Sequence, residues 1–112
     1  MNRQVSYPPV TEDLLAEVVR RILSVGSPQK VVLFGSRGRG EGRDDSDLDI
    51  LIVEESDLPR YRRPVPYLRA LTGLFPAKDV VVYTPAEVAE WSQVANAFVT
   101  TALREGKVLH AK

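Results

Sequence analysis

Apolar residues recur at helical spacing in the segment TEDLLAEVVRRILSVG, where Leu14, Leu15, Val18, Val19 and Ile22 fall on one side. Thr11 suits an N-cap, Glu12 and Asp13 stand in the first turn where the helix dipole favours anions, and Arg20 and Arg21 precede a closing Gly26. The pattern then changes. KVVLF is a short apolar run rich in β-branched residues, bounded by Pro28 and Gly35, and it predicts a buried strand. DLDILIV and KDVVVYTP, the latter closed by Pro85, predict two more. Between them, RYRRPVPYLRALTGLF carries Pro64 and Pro66, which suit a helix start and not its interior, so a short helix is placed from about Val65 to Leu74. PAEVAEWS and NAFVTTALREG predict two C-terminal helices, the second ending at Gly106, with KVLHAK left as a short tail. The order α-β-β-α-β-α-α predicts an α/β (α+β) fold: one domain over residues 1–112, a small mixed sheet with helices packed on it.

Composition narrows the functions open to such a domain. With 112 residues, 44% of them hydrophobic and 27% charged, the chain has the make-up of an ordinary globular unit with a real core. Fifteen basic and fifteen acidic side chains cancel, which argues against a protein that wraps nucleic acid through bulk charge. The local cluster Arg60, Arg62 and Arg63 beside Tyr61 reads as a solvated loop. Without cysteine there are no disulfides, no thiolate-bound zinc and no thiol catalysis. No apolar stretch is long enough to span a bilayer and MNRQVSYPPV lacks the apolar core of a secretion signal, so a cytoplasmic protein with no membrane role is expected. Trp91, Tyr67, Phe75 and Phe98 stand at helix-compatible positions and read as core or interface residues rather than a base-stacking platform.

Candidate chemistry concentrates in LFGSRGRGEGRDDSDLDILIV. Its glycines, at positions 35, 38, 40 and 42, leave no room for the crossover helix of a dinucleotide-binding fold, and the Gly-Lys-Ser/Thr of a Walker A loop is absent. Asp45, Asp47 and Asp49 begin like a calcium loop, but Ile50 and Ser56 stand where glycine and glutamate are required. Residues two apart on a strand share a face, so Asp47 and Asp49 point together, about 6.6 Å apart at Cα, while Leu48, Ile50 and Ile52 point the other way. Paired carboxylates in an apolar run are costly unless a cation offsets their charge, and carboxylates plus substrate phosphates are the usual way to hold magnesium. Two such ions serve the attacking and leaving oxygens of a nucleotidyl transfer. Gly35 permits close backbone approach to a ligand, Ser36 offers a hydroxyl, and Arg37, Arg39 and Arg43 lie within local reach of the same phosphates.

Gly35-Ser36, ten residues, then Asp47-Leu48-Asp49 resembles the G-S-x10-D-x-D signature of the DNA polymerase beta-like nucleotidyltransferases. The size and ending of the chain are similar to the minimal nucleotidyltransferases of prokaryotes. The resemblance implies the polymerase beta-like fold, Asp47 and Asp49 as magnesium ligands, and Gly35 and Ser36 against the nucleotide phosphates. It further implies a third carboxylate on a neighbouring strand, for which Asp79 in KDVVVY is the candidate with suitable context. The expected activity is magnesium-dependent transfer of an NMP, AMP from ATP, onto a hydroxyl of a partner protein or other acceptor. Minimal members often pair with a helical HEPN-type protein as the antitoxin of a toxin-antitoxin system, within a homo- or hetero-oligomer. The alternative is a non-catalytic module of the same fold that neutralises its partner by binding.

Overall fold

The computed structural model describes residues 11–34, 48–74, 77–94 and 97–112. Helix α1 runs Glu12–Val25, and the Thr11 hydroxyl accepts from the Leu14 N–H at 3.1 Å, so the capping signal operates as expected. Among the described residues, β1 (Lys30–Phe34), β2 (Leu48–Val53) and β3 (Lys78–Tyr83) follow the β-branched runs, and a further strand, β4, spans Lys107–Ala111. Among the described residues the further helices are α2 (Val65–Ala70), α3 (Pro85–Trp91) and α4 (Phe98–Glu105).

The sheet order is β3-β2-β1-β4, with β2 antiparallel to β1, β4 antiparallel to β1, and β3 parallel to β2. It is therefore a mixed sheet, as expected. One expectation fails: KVLHAK is not a tail but carries β4, which pairs with β1 through Val32↔Val108 and Leu33↔Lys107. The second helix also stops at Ala70, short of Leu74.

Strand alternation divides the core in two. Val31, Leu33, Leu48, Ile50, Ile52, Val80 and Val82 face one side and are covered by Leu15, Val18 and Ile22 of α1 and by Tyr67 and Leu71. Val32 and Leu51 face the other side, packed with Ala102 of α4, Phe34, Val81 and Tyr83. Cover there is thinner: α3 buries no residue and α4 buries Val99 and Ala102.

Polar ties fix the connections. Arg21 of α1 donates to the carbonyls of Ala70 (3.2 Å) and Thr72 (3.0 Å), closing the free end of α2 with a cation. Tyr67 donates to Glu54, whose other oxygen accepts from the Ser27 N–H at 2.8 Å. Burial, with the Glu54 carboxylate beside it, holds the Tyr67 phenol well above the ordinary tyrosine range. Among the described residues no helix is long and apolar enough to cross a membrane.

Candidate active site

The register of the sheet builds the site. Phe34, the last residue of β1, lies opposite Asp49 of β2, and Asp49 lies beside Asp79 of the parallel strand β3. Residues in register on neighbouring strands share a face, and the strands are about 4.8 Å apart, so the two carboxylates stand side by side. Their face is that of Leu51 and Val81, the thinly covered one. Their immediate sequence neighbours Leu48, Ile50 and Val80 turn into the opposite core. An aspartate inside an apolar strand is thus accommodated because its strand ends on the face that α4 leaves partly open.

Several contacts hold this row in place. Asp49 is half-buried on an inner strand, whereas Asp79 is exposed on the edge strand β3. The Phe34 ring meets Phe98 of α4 edge to face, with centroids 5.1 Å apart and planes at 83°. At the far end of β3, Arg63 donates to the Val82 carbonyl at 3.2 Å and to Glu87 at 2.7 Å. Glu87 and Thr84 form a capping box at the start of α3. Burial opposes the charge on Glu87, but hydrogen bonds from Arg63, the Thr84 backbone and Arg60 outweigh it and hold the carboxyl down at about 2. Lys78 is adjacent to Asp79 in sequence but sits in register with Leu48, facing the other core, and donates to the Leu74 carbonyl.

Of the residues singled out in the sequence, Asp49 and Asp79 are brought together. Asp47, Gly35, Ser36, Arg37, Arg39 and Arg43 lie outside the described residues; Asp47 immediately precedes Leu48 in sequence, and Gly35 immediately follows Phe34. Among the described residues no three acidic or histidine side chains converge as a metal site. Two aspartate carboxylates side by side are a hard, all-oxygen donor set suited to magnesium and unsuited to soft metals. Tyr67 is in the core at 3% exposure, but Phe98 and Trp91 are 49% and 39% exposed. Phe98, read from the sequence as a core or interface residue, packs on Phe34; the part that Phe34 plays there is visible in the sequence only as an aromatic residue at a strand end before Gly35. A cavity of about 620 Å³, lined in part by Lys30, Val53, Val88 and Leu103, includes neither Asp49 nor Asp79.

A mixed sheet with helices on both faces, carrying adjacent carboxylates near the ends of two parallel strands, defines an α+β protein. The chain belongs to the nucleotidyltransferase domain family, whose model matches residues 13–111. Among curated proteins none matches it. Solved structures do. A nucleotidyltransferase candidate from Sulfolobus solfataricus shares 28% identity over 70% of each chain, with a TM-score of 0.55. A toxin-antitoxin structure with AMP-PNP shares 21% identity over 88% of this chain and 73% of that one, with a TM-score of 0.62. A mutant MntA-HpeT toxin-antitoxin, with two aspartates two positions apart changed to glutamate, shares 20% identity over 92% and 75%, with a TM-score of 0.55. The last two likenesses establish the shared fold.

Proposed function

We propose that the protein is a magnesium-dependent nucleotidyltransferase that moves AMP from ATP onto a hydroxyl of a partner protein. The observation that carries this reading is the register that sets Asp49 beside Asp79. Asp47, Asp49 and Asp79 would hold two Mg²⁺ ions, which when bound offset phosphate charge at the attacking and leaving oxygens. Gly35 would let the backbone approach the triphosphate, with Ser36, Arg37 and Arg39 as donors to its oxygens. The acceptor hydroxyl oxygen attacks the α-phosphorus, the bond to the bridging oxygen breaks, and pyrophosphate leaves. Asp79, on the exposed edge strand, receives the hydroxyl proton. Two structural neighbours are toxin-antitoxin assemblies, one of them with AMP-PNP, and this supports an antitoxin role toward a protein partner; a HEPN-type partner and a cytoplasmic setting are part of the same proposal.

Incubation with α-labelled ATP, magnesium and the product of the neighbouring gene tests the reading. Wild type is expected to label the partner, and Asp49→Asn and Asp79→Asn to abolish labelling without unfolding. Equal labelling by Asp79→Asn would refute the assignment. Suppression of the partner by both proteins, with no label in either case, would instead identify a module that acts by binding.

A further inference from the structure

Between Leu58 and Lys78 the chain carries five cationic side chains and no carboxylate, within a protein whose formal charges cancel. Folding engages three of them. Arg63 is bound to Glu87, Val82 and Leu58, and Arg60 reaches Glu87 at 3.4 Å and lies 4.6 Å over the Tyr83 ring. Lys78 donates to Leu74. Arg62 and Arg69 are exposed, and among the described residues neither has a carboxylate partner.

Their neighbours on the surface are apolar. Leu58, Tyr61, Val65 and Leu68 are 44%, 78%, 38% and 41% exposed. Successive turns join this stretch to α2, with Arg62 N–H on the Pro59 carbonyl, Val65 N–H on Arg62 and Leu68 N–H on Pro64. Residues three and four apart therefore stack on one side. Tyr61, Val65 and Leu68 form an outward ridge flanked by Arg62 and Arg69, while Tyr67 and Leu71 turn into the core. An outward helix face ordinarily carries polar residues. Here it carries apolar ones, with cations that have no carboxylate partner among the described residues.

We infer that this ridge docks an acidic amphipathic segment of a protein partner. The partner's apolar residues cover Tyr61, Val65 and Leu68, and its carboxylates meet Arg62 and Arg69. A protein fits better than a nucleic acid because aliphatic Val65 and Leu68 have nothing to gain from a phosphate backbone, whereas they complement the apolar stripe of a helix. The surface is independent of the carboxylate pair, because Tyr67 and Leu71 pack α2 on the sheet face opposite Leu51 and Val81.

Fluorescence anisotropy with the full chain tests it, using a labelled helical peptide of about 18 residues with leucine on one face and glutamate on the other. The comparison probes are the same peptide with lysine for glutamate and a single-stranded RNA. The glutamate peptide is expected to bind, and more weakly at about 300 mM salt than at 50 mM. The double variant Arg62→Glu/Arg69→Glu should lose at least about tenfold in affinity, and Leu68→Ser should lose affinity as well. Both changes are at exposed positions, and unchanged melting curves would show that the fold is retained. Failure of the glutamate peptide to bind, or equal affinity for wild type and the double variant, would overturn the inference. Tighter binding of RNA, lost in the same double variant, would assign the surface to nucleic acid instead.

Discussion

At the scale of single residues, the row Phe34, Asp49, Asp79 sets two like charges side by side on neighbouring strands. Such pairs destabilise a sheet by about 0.2–1 kcal/mol. Asp79→Asn removes one charge at an exposed position, so in metal-free buffer the variant is expected to melt at the same temperature as wild type or up to about 4 °C higher. Added magnesium should stabilise wild type more than the variant, and melting with and without the ion checks both. A variant that gains as much from magnesium as wild type does would remove Asp79 from the ligand set. Glu87 gives the opposite kind of prediction. Its carboxyl is held at about 2 in the folded protein against 4.5 ordinarily, so its contribution is complete above pH 4.5 and is lost as pH falls toward 2. Glu87→Gln is expected to be less stable by about 2 kcal/mol at pH 7, since it loses a charged hydrogen bond to the nearly buried Arg63. That gap should narrow between pH 4.5 and 2. Hydrogen bonds from Arg20 and Arg21 also bring Glu17 down to about 2, so the difference between variant and wild type isolates Glu87 in urea titrations, not the raw curve.

At the scale of elements, the junction between α4 and β4 is held by close backbone approach at Gly106. A Cβ there would sit 2.5 Å from the Ala102 carbonyl oxygen and 2.9 Å from that of Leu33, and would also strike the Val32 side chain. Backbone atoms cannot step aside as a flexible side chain can, so Gly106→Ala is expected to destabilise by about 1–3 kcal/mol. Hydrogen exchange should show β4 as the segment that loosens; protection of β4 equal to wild type would argue against this. The same strand shows where the sequence becomes hard to read. The first three strands and α1 are legible because their apolar positions are dense and periodic, and Thr11 and Pro85 mark helix starts through local chemistry. KVLHAK offers no such signal: an edge strand with one neighbour and largely exposed side chains needs few apolar residues, and its pairing with β1 is set by contacts about 75–80 residues away in sequence. Asp79 shows a similar limit. Its strand is visible in KDVVVY, but its place beside Asp49 depends on a parallel register that no local pattern encodes. Arg63 and Glu87 are likewise joined only by the fold.

At the scale of the whole molecule, the two sides of the sheet differ in what they are free to do. One is closed by α1 and α2, and its residues form a continuous core. The side bearing Asp49 and Asp79 is covered by α4 through Ala102 and Leu103, while α3 buries nothing. Nucleotidyl transfer needs the acceptor hydroxyl held close to the α-phosphorus in a near-attack arrangement with water excluded. Asp79, on the edge strand, is exposed. If the protein transfers AMP as proposed, we expect the partner to contribute the acceptor and part of the wall that excludes water. Label incorporation is therefore expected to be slow or absent with the protein alone and to rise by at least about 100-fold when the partner is added. Asp79→Asn should bind the partner as wild type does yet transfer nothing, because it alters the chemistry and not the docking surface. Arg62→Glu/Arg69→Glu should behave in the reverse sense if the same partner uses the basic ridge, weakening association while leaving magnesium-dependent stabilisation by ATP in place. Measuring complex formation, thermal stabilisation and label in parallel separates these cases. Full transfer by the isolated protein to a small hydroxyl acceptor would show that its own residues complete the site.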